Sequence, residues 1–520
     1  MGDSRVDKTI KNAKVNLFFY LLALVLSFFS RKVFLDNLGA NFIGLIGTML
    51  SMMGFINLAE LGIGAAIGYT LYKPLFHKDR ESINEIVSIF RFLYRRIGLI
   101  ILIVASLVAC CLPYFFASEQ ISLGVIYAVY FSYLGSALIG YYINYRQVLL
   151  GADQRNYIVV SCFQSVSIIK LIVQIVVAYV TSNLYLWVVV EFLFGVIYSF
   201  VLNINISRVY PWLNESTYDA KALLAKYPDI LKNARRLFFQ ELGNLARFQF
   251  VPLIVYSSTS LTTVALFNNY NEITNKVSSL INSVLGSVAA SIGNLVAEGN
   301  KEKIVRTFWI LTDVRYWLAC LTFVSFYSFL SSTIRLWLGD AYLLSQYIVA
   351  LIALQCAMRY ALGVTMQFLY AYGIFWDVWA PVVDMILNIA SSISLGYYWG
   401  LNGVLIGGII GLFLVSGIWK PILLYHWGFK LPIGRYFLSS LYRIAVHSIP
   451  VIVCFVVDRY FIVNCIMPDS ECTIFLFLMH VLILVLLYVG VSVMFISLFL
   501  PSSASYIFTV LGGLIKKIRA

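Results

Sequence analysis

The chain has 520 residues, of which 61% are hydrophobic and only 12% are charged, and its formal net charge is +13. About a quarter of the residues of a soluble globular protein are charged, so this composition excludes a soluble globular fold. Continuous apolar runs of about 20 residues recur from end to end and predict an all-α polytopic membrane protein.

Fourteen transmembrane helices are predicted, and they follow a polar N-terminal stretch in which no cleavable signal peptide is evident. Several are longer than the minimum that spans a bilayer, which indicates tilt or extension beyond it. The predicted spans are residues 15–36, 42–72, 91–116, 122–149, 157–181, 185–207, 236–258, 262–296, 306–332, 342–371, 378–399, 402–425, 439–463 and 473–500.

Lys and Arg cluster in alternate segments between the predicted spans, and the intervening loops are short and carry almost none. The positive-inside rule therefore predicts that both termini are cytoplasmic. The same rule accounts for the net charge, so we expect membrane lipids and no nucleic acid among the partners.

The longest hydrophilic segment, residues 208–236, divides the first twelve spans into six and six. A shift of 221 residues aligns 36–46 with 257–267 without a gap, which indicates a parallel internal repeat. We therefore predict two pseudo-symmetric six-helix lobes around a central cavity, followed by two additional helices. The predicted divisions are an N-lobe of spans 1–6 (1–207), an interlobe linker (208–235), a C-lobe of spans 7–12 (236–425), and spans 13–14 with a cytoplasmic tail (426–520).

The second predicted span contains INLAELGIGAAIGYTLYKPL (56–75), an apolar stretch with Asn57 and Glu60 on one helical face. A charge at the bilayer centre costs roughly 2.5–3.5 kcal/mol on insertion scales, so Glu60 is a candidate functional residue. The internal repeat pairs Glu60 with Ile281, and the carboxylate therefore belongs to one lobe only. Nearby glycines at positions 62, 64 and 68 favour close helix packing or bending.

Other charges within spans have simpler explanations. Glu272 and Lys276 are four residues apart on one helix, and they either neutralise each other or contact substrate. Lys170 and Glu191 are interpreted as a structural pair between adjacent spans.

Two further pairs are expected near the membrane surfaces. Lys32 and Asp36 lie in the outer part of the first span and are interpreted as snorkelling anchors. Asp313 and Arg315 lie in the cytoplasmic third of the ninth span, where we expect them at the interface.

Arg31, Arg247 and Arg359 lie far from a cytoplasmic interface and have no opposite charge at helical spacing on their own spans. Polar faces on spans 1, 2, 7 and 8 predict that these helices surround an aqueous cavity with excess positive charge. Guanidinium groups bind phosphate through forked hydrogen bonds, so the cavity suits an anionic polar substrate. The candidate substrate-binding residues are Arg31, Asn57, Glu60, Asn244, Arg247, Asn275, Lys276 and Arg359.

Coupling to an ion gradient is expected, with Glu60 and Glu272 as the candidate carboxylates and either Na⁺ or H⁺ as the ion. The segments YYINYR (141–146) and FNNYNE (267–272) combine Tyr and Asn, which suits sugar binding. No catalytic residues, resident metal or other cofactor are predicted, because nucleophile–base pairs, His clusters and nucleotide-binding loops are missing. Cys465 and Cys472 share one short outer loop and are a candidate disulfide.

Several segments resemble one family. Ser30-Arg31 followed by Leu38-Gly39-Ala40, the 56–75 stretch, ALFNNYNEI (265–273) and SIGNLVAEGNKEK (291–303) are similar to segments of the polysaccharide-transporter family. Its members are bacterial flippases of lipid-linked oligosaccharides, in the multidrug/oligosaccharidyl-lipid/polysaccharide exporter (MOP) superfamily.

The resemblance implies a MATE-like fold and alternating access that moves an undecaprenyl-diphosphate-linked glycan across the bacterial cytoplasmic membrane, for surface polysaccharide biosynthesis. It also implies glycan polymerase or ligase machinery as a partner, and it supports Arg31 in the cavity. Related peptidoglycan-precursor flippases carry further charged motifs that this chain lacks, so their substrate is less expected. The alternatives are a cation-coupled multidrug antiporter of the same superfamily, a membrane glycan polymerase or ligase, and a scaffold protein.

Overall fold

The computed structural model describes residues 5–56, 60, 63–117, 119, 121–214, 220–286, 289–374, 377, 379–460 and 474–505. All regular secondary structure in these ranges is helical. The helices of the first half are α1 (Arg5–Leu38), α2 (Ala40–Ile56), α3 (Ile63–His77), α4 (Arg80–Phe115), α5 (Leu123–Tyr142), α6 (Gln147–Ala152), α7 (Asn156–Thr181), α8 (Leu184–Val209), α9 (Ala220–Lys226) and α10 (Asp229–Ser258). Those of the second half are α11 (Leu261–Gly286), α12 (Ala289–Glu298), α13 (Lys301–Leu338), α14 (Gln346–Ala371), α15 (Trp379–Leu412), α16 (Lys420–Leu423), α17 (Ile433–Val457) and α18 (Ile474–Phe499).

Polar residues just before apolar runs cap several of these helices. Asp79 accepts a hydrogen bond of 3.1 Å from the Ser82 amide at the start of α4, and Asn300 accepts one of 3.1 Å from Lys303 at the start of α13. Such caps satisfy amides that have no partner within the helix. The Ser82 side chain and backbone also hold the pKa of the Asp79 carboxyl below its usual range.

Nine helices in the described part of the chain are long and apolar enough to cross a membrane. The number rises to ten if α1 and α2, which are bent by 120° at their junction, are taken as one broken span. These helices make the protein a multi-pass membrane protein, but they do not confirm the predicted count of fourteen.

The predicted second span over 42–72 contains helix α2, which ends at Ile56, and helix α3, which begins at Ile63. Glu60, between them, has 3-10 geometry. Residues 57–59 and 61–62 lie outside the described part of the chain, so the continuity of this span stays a prediction.

Helix α15 reverses at Gly400, where the backbone is left-handed (φ 56°). Its two arms lie so close that a Cβ atom on Gly403 would be 1.9 Å from the Leu395 carbonyl oxygen, and one on Gly407 would be 2.4 Å from the Ser392 nitrogen. Glycine at the contact lets the two backbones approach, as in other membrane helix pairs. The reversal falls between the predicted spans 378–399 and 402–425.

The chain divides into two compact units, Met1–Ala265 and Leu266–Ala520. In the first, α10 packs against α2 and α3, so the segment 236–258 lies with the first unit although the sequence suggests the second lobe. In the second, α17 and α18 pack on α13, where the Tyr488 hydroxyl donates to the Trp317 carbonyl at 2.8 Å. The two added helices are therefore integral to the second unit.

Candidate functional site

Glu60 is held by two phenols in the first unit. The Tyr94 hydroxyl, from α4, donates to one oxygen of its carboxylate, and the Tyr141 hydroxyl, from α5, donates to the other at 2.7 Å. Both tyrosines are buried, whereas Glu60 is only half-buried. The carboxylate, which lies between α2 and α3, thus contacts two neighbouring helices.

Aromatic rings pack closely around this carboxylate. The centroids of the Phe90 and Tyr94 rings are 3.9 Å apart, and those of Tyr94 and Tyr141 are 5.4 Å apart. A Cβ atom on Gly64 would be 3.4 Å from the Tyr94 hydroxyl oxygen, so a larger residue there would press on it. The site is therefore pre-organised, with its two donors fixed before any ligand arrives.

The Glu60 carboxylate is a group whose oxygens can exchange one hydrogen-bond donor or cation for another. Two hydroxyl donors satisfy both oxygens of this carboxylate in a largely apolar surrounding. A proton, a monovalent cation or a sugar hydroxyl competes for the same oxygens. Among the described residues, Tyr94 and Tyr141 are the hydrogen-bond partners of Glu60.

Arg31 lies on α1 in the same unit and is half-buried. Its Nη2 atom is 3.4 Å from the carbonyl oxygen of Ala265, a long contact for a hydrogen bond. Ser30, beside it, is buried and bonds to the Ser27 carbonyl at 3.1 Å. In this Ser-Arg pair, Ser30 therefore serves the structure of α1, and Arg31 presents a half-buried guanidinium.

The candidate residues of the second unit lie on α11 and α14. Lys276 forms an ion pair of 3.4 Å with Glu272, as the first interpretation of that pair expects, and its contact with substrate stays a prediction. Asn275 is exposed, and Arg359 is half-buried on α14. Asn57 and the side chains of Asn244 and Arg247 lie outside the described part of the chain, so their roles and the shared cavity stay predictions.

Several residues of the aromatic–amide segments are buried. Asn144 is buried and accepts hydrogen bonds from Ser199 at 2.6 Å and Asn203 at 2.9 Å. Asn269 and Tyr270 are fully buried, and the Tyr270 hydroxyl accepts from the Leu344 amide at 3.0 Å. These three side chains are not open to a sugar, and sugar binding stays a prediction for the more exposed Tyr and Asn of the two segments.

The structure also tests the other charged pairs. Lys170 and Glu191 are 2.7 Å apart, which confirms the predicted structural pair. Asp313 and Arg315 are both buried within the second unit, and their position at the membrane interface stays a prediction. Arg315 donates to the Tyr360 carbonyl at 3.2 Å, and the absence of a side chain at Gly363 leaves room for its guanidinium.

The sequence interpretation missed the phenol pair on Glu60. Tyr141 falls within YYINYR, which was selected for its aromatic and amide content but not assigned to the carboxylate. Tyr94 lies in the basic stretch RFLYRR (91–96) and gives no signal of its own. Only the packing of α4 and α5 beside α2 and α3 brings the two hydroxyls to one side chain.

Solved transporter structures share this fold. A structure of the lipid II flippase MurJ in an inward closed conformation matches with a TM-score of 0.62 at 14% identity, covering 94% of this chain and 99% of that chain. An inward-facing multidrug resistance MATE family transporter of the MOP superfamily matches with a TM-score of 0.53 at 15% identity, covering 78% and 95%. A MOP superfamily transporter from Pyrococcus furiosus matches with a TM-score of 0.50 at 14% identity, covering 82% and 95%.

No protein-family model and no curated protein matches the chain. Likeness at these identities concerns the fold alone, and both the flippase and the drug transporters share this fold. The chain therefore has the fold of the MOP-superfamily transporters, as the resemblance in its sequence predicts at this coarser level.

Proposed function

We propose that the protein is a flippase that moves a lipid-linked oligosaccharide from the cytoplasmic to the outer leaflet of the bacterial cytoplasmic membrane. The lipid diphosphate is the anion that the candidate cations bind, and the glycan occupies the aqueous cavity. The flipped product would pass to glycan polymerase or ligase machinery outside. Both termini are cytoplasmic in this proposal, in agreement with the distribution of Lys and Arg.

The observation that carries the proposal is the extent of the structural match. The matched share of this chain is 78% with the multidrug transporter and 94% with the lipid II flippase. The flippase structure is itself matched over 99% of its length. Because the match with the flippase covers nearly all of both chains, it favours a lipid-linked substrate over a small drug.

The charges of the candidate site support an anionic substrate. Arg31 and Arg359 are half-buried. Two phenols donate to Glu60 among the described residues. A diphosphate would gain charge-assisted hydrogen bonds from such cations.

The test is reconstitution into liposomes with a fluorescent undecaprenyl-diphosphate-linked glycan, whose outward exposure is followed with an external lectin. We expect Arg31→Ala to lower the flipping rate at least tenfold, because a lost charge-assisted hydrogen bond to the transported group is worth about 1.5–3 kcal/mol. Arg31→Lys keeps the positive charge but loses the forked hydrogen-bond geometry of a guanidinium. Its flipping rate should therefore lie between those of the wild type and Arg31→Ala.

The matched control is Arg335→Ala, which removes a partly exposed arginine paired with Asp340 at 2.7 Å. It should flip at the wild-type rate. Equal rates for wild type and Arg31→Ala would contradict the assignment of Arg31, and lack of flipping by the wild type would contradict the function itself.

A multidrug antiporter is the second candidate, because the fold is also that of the MATE transporters. The same liposomes loaded with an organic cation such as ethidium separate the two functions. Cation efflux driven by a proton or sodium gradient, without glycan exposure, would favour the antiporter.

A further inference from the structure

Two segments that the internal repeat aligns also touch each other in the first unit. The hydroxyl of Thr262, near the start of α11, donates a hydrogen bond to the side-chain oxygen of Asn41, near the start of α2. The two residues are 221 positions apart, which is the shift of the sequence repeat. Equivalent positions of segments related by a two-fold axis meet only at that axis. The contact therefore marks the axis around which the cavity is predicted.

The backbones of α2 and α11 are in direct contact beside this hydrogen bond. A Cβ atom on Gly44 would be 1.9 Å from the Leu261 carbonyl oxygen and 2.6 Å from the carbonyl carbon. Both residues are buried, so the contact is closed to solvent. Any side chain at position 44 would separate the two helices.

The first turn of α11 has two further polar attachments in the same unit. The Leu261 amide donates to Glu119, in the segment after α4, at 3.5 Å, and the Ala265 carbonyl accepts from Arg31 of α1 at 3.4 Å. Both distances exceed the usual range of about 2.7–3.2 Å for N–H···O hydrogen bonds, so these attachments are weak. The turn is therefore held on α2 mainly by close packing and one short polar contact.

These contacts lie at the outer surface if both termini are cytoplasmic, as the positive-inside rule predicts. The start of α2 follows the first predicted span, and the start of α11 follows the seventh, so both face the outer side. Asn41 is half-buried and Thr262 is exposed, whereas Leu261 beneath them is fully buried. A substrate that leaves the predicted cavity along the axis has to pass this contact.

We propose that the first turn of α11 (261–265) is an outer gate that closes on α2, and that anion binding at Arg31 releases it. The guanidinium contacts a neutral carbonyl at long distance, whereas a diphosphate offers it charged oxygens that match its fork. A bound diphosphate therefore draws Arg31 away from Ala265 and removes one attachment of the gate. This inference rests on the proposed function, because it makes the transported lipid diphosphate the signal for outward opening.

The test is the rate at which Asn41→Cys and Thr262→Cys, introduced together, form a disulfide in lipid nanodiscs with copper phenanthroline as the oxidant. The chain has eight native Cys, so each single variant gives the background. We expect undecaprenyl diphosphate to slow the disulfide at least threefold, because the two positions separate. Undecaprenol, which carries no charge, should have no effect, and the diphosphate should have none when Arg31→Ala is added.

A glycine substitution opens the gate without a ligand. In the double-cysteine chain, Gly44→Ala should slow the disulfide at least threefold, because its methyl group meets the Leu261 carbonyl. Gly140→Ala is the matched control, since no atom lies within 4 Å of a Cβ at that position of α5. If Gly44→Ala does not fold, the response to undecaprenyl diphosphate decides alone.

Locking the gate should stop transport. In the flipping assay, the oxidised double-cysteine protein should flip glycan at least tenfold more slowly than the same protein after reduction with dithiothreitol. The control pair is Lys170→Cys with Glu191→Cys, which replaces a 2.7 Å ion pair between α7 and α8. Its oxidation should leave the flipping rate unchanged.

The outcomes separate this inference from the proposed function. Equal flipping rates before and after oxidation of the Asn41→Cys and Thr262→Cys pair would overturn the gate. Disulfide rates that do not respond to undecaprenyl diphosphate, or that respond equally in Arg31→Ala, would overturn its release through Arg31. A reduced protein that does not flip glycan, but whose disulfide is slowed by undecaprenyl diphosphate, would overturn the proposed function and leave the gate supported.

Discussion

Glu60 shows at the scale of single residues how a charge is accommodated within the membrane region of this protein. Its carboxylate accepts hydrogen bonds from two buried phenols, Tyr94 and Tyr141. Hydrogen bonds to a charged acceptor are about twice as strong as those between neutral groups. The same principle operates at Glu191, which accepts from Lys170 at 2.7 Å and Gln174 at 2.9 Å.

Replacing a tyrosine that donates to Glu60 with Phe should therefore lower the free energy of unfolding more than replacing a tyrosine that donates to a neutral acceptor. We expect Tyr141→Phe to lower the free energy of unfolding by about 1.5–3 kcal/mol, since it leaves the carboxylate with one donor. Tyr130→Phe is the control, because the Tyr130 hydroxyl donates to the Ala105 carbonyl at 2.7 Å and should cost about 0.5–1.5 kcal/mol. Reversible unfolding in mixed micelles measures both, and equal losses would contradict a charged Glu60.

At the scale of elements, glycine decides how the two arms of α15 pack. Gly403 and Gly407 face backbone atoms of the other arm at distances that no side chain tolerates. Gly411 continues this face, where a Cβ atom would be 3.3 Å from both Asp384 and Asn388 side-chain atoms. Backbone contact of this kind fixes the register of the hairpin from Gly400 onwards.

A methyl group on this face should separate the arms. We expect Gly403→Ala to lower the free energy of unfolding by about 1–3 kcal/mol or more, the usual range for overpacking. Gly490→Ala is the control, because no atom lies within 4 Å of a Cβ at that position of α18. It should stabilise its helix by up to about 1 kcal/mol, and thermal unfolding of the two variants in one detergent compares them.

At the scale of the whole molecule, the predicted interlobe linker is fastened to the first unit. The linker contacts two buried side chains near the start of α4. Asn84 accepts a hydrogen bond from the Asn214 amide at 2.9 Å. Glu85 accepts hydrogen bonds from Lys226 at 2.6 Å and from the Tyr227 hydroxyl at 2.6 Å. The hydrogen bond with Glu85 raises the pKa of Lys226 above its usual range. The pair is fully formed below the ordinary lysine pKa and is lost only as the pH rises through the raised value.

Release of this attachment should expose the linker. We expect Glu85→Ala to increase the rate of tryptic cleavage after Lys226 about tenfold at neutral pH, because two hydrogen bonds to a buried charge are removed. Glu298→Ala, which breaks the exposed 2.6 Å pair with Lys303, should not change cleavage of the linker. Unchanged cleavage in Glu85→Ala, followed by electrophoresis, would show that the linker is held by other contacts.

Much of the architecture follows from the sequence because burial in a bilayer requires long apolar helices. The multi-pass helical class, the reversal between residues 399 and 402 and the Lys170–Glu191 pair depend on local composition and spacing, and the structure agrees with all three. The superfamily fold follows from short segments such as the 56–75 stretch, whose likeness extends to the solved transporters at the level of the fold.

Tertiary packing alone determines which side chains become the partners of the buried charges. Glu60 accepts hydrogen bonds from Tyr94 and Tyr141, which are 34 and 81 residues away along the chain. Asp313, predicted at the interface, is enclosed by Arg443, His447 and Ser503 from the last third of the chain. Apolar runs determine that a segment becomes a membrane helix, but the partners of a buried charge depend on which helices lie beside it. Spacing along one helix carries no information about those neighbours.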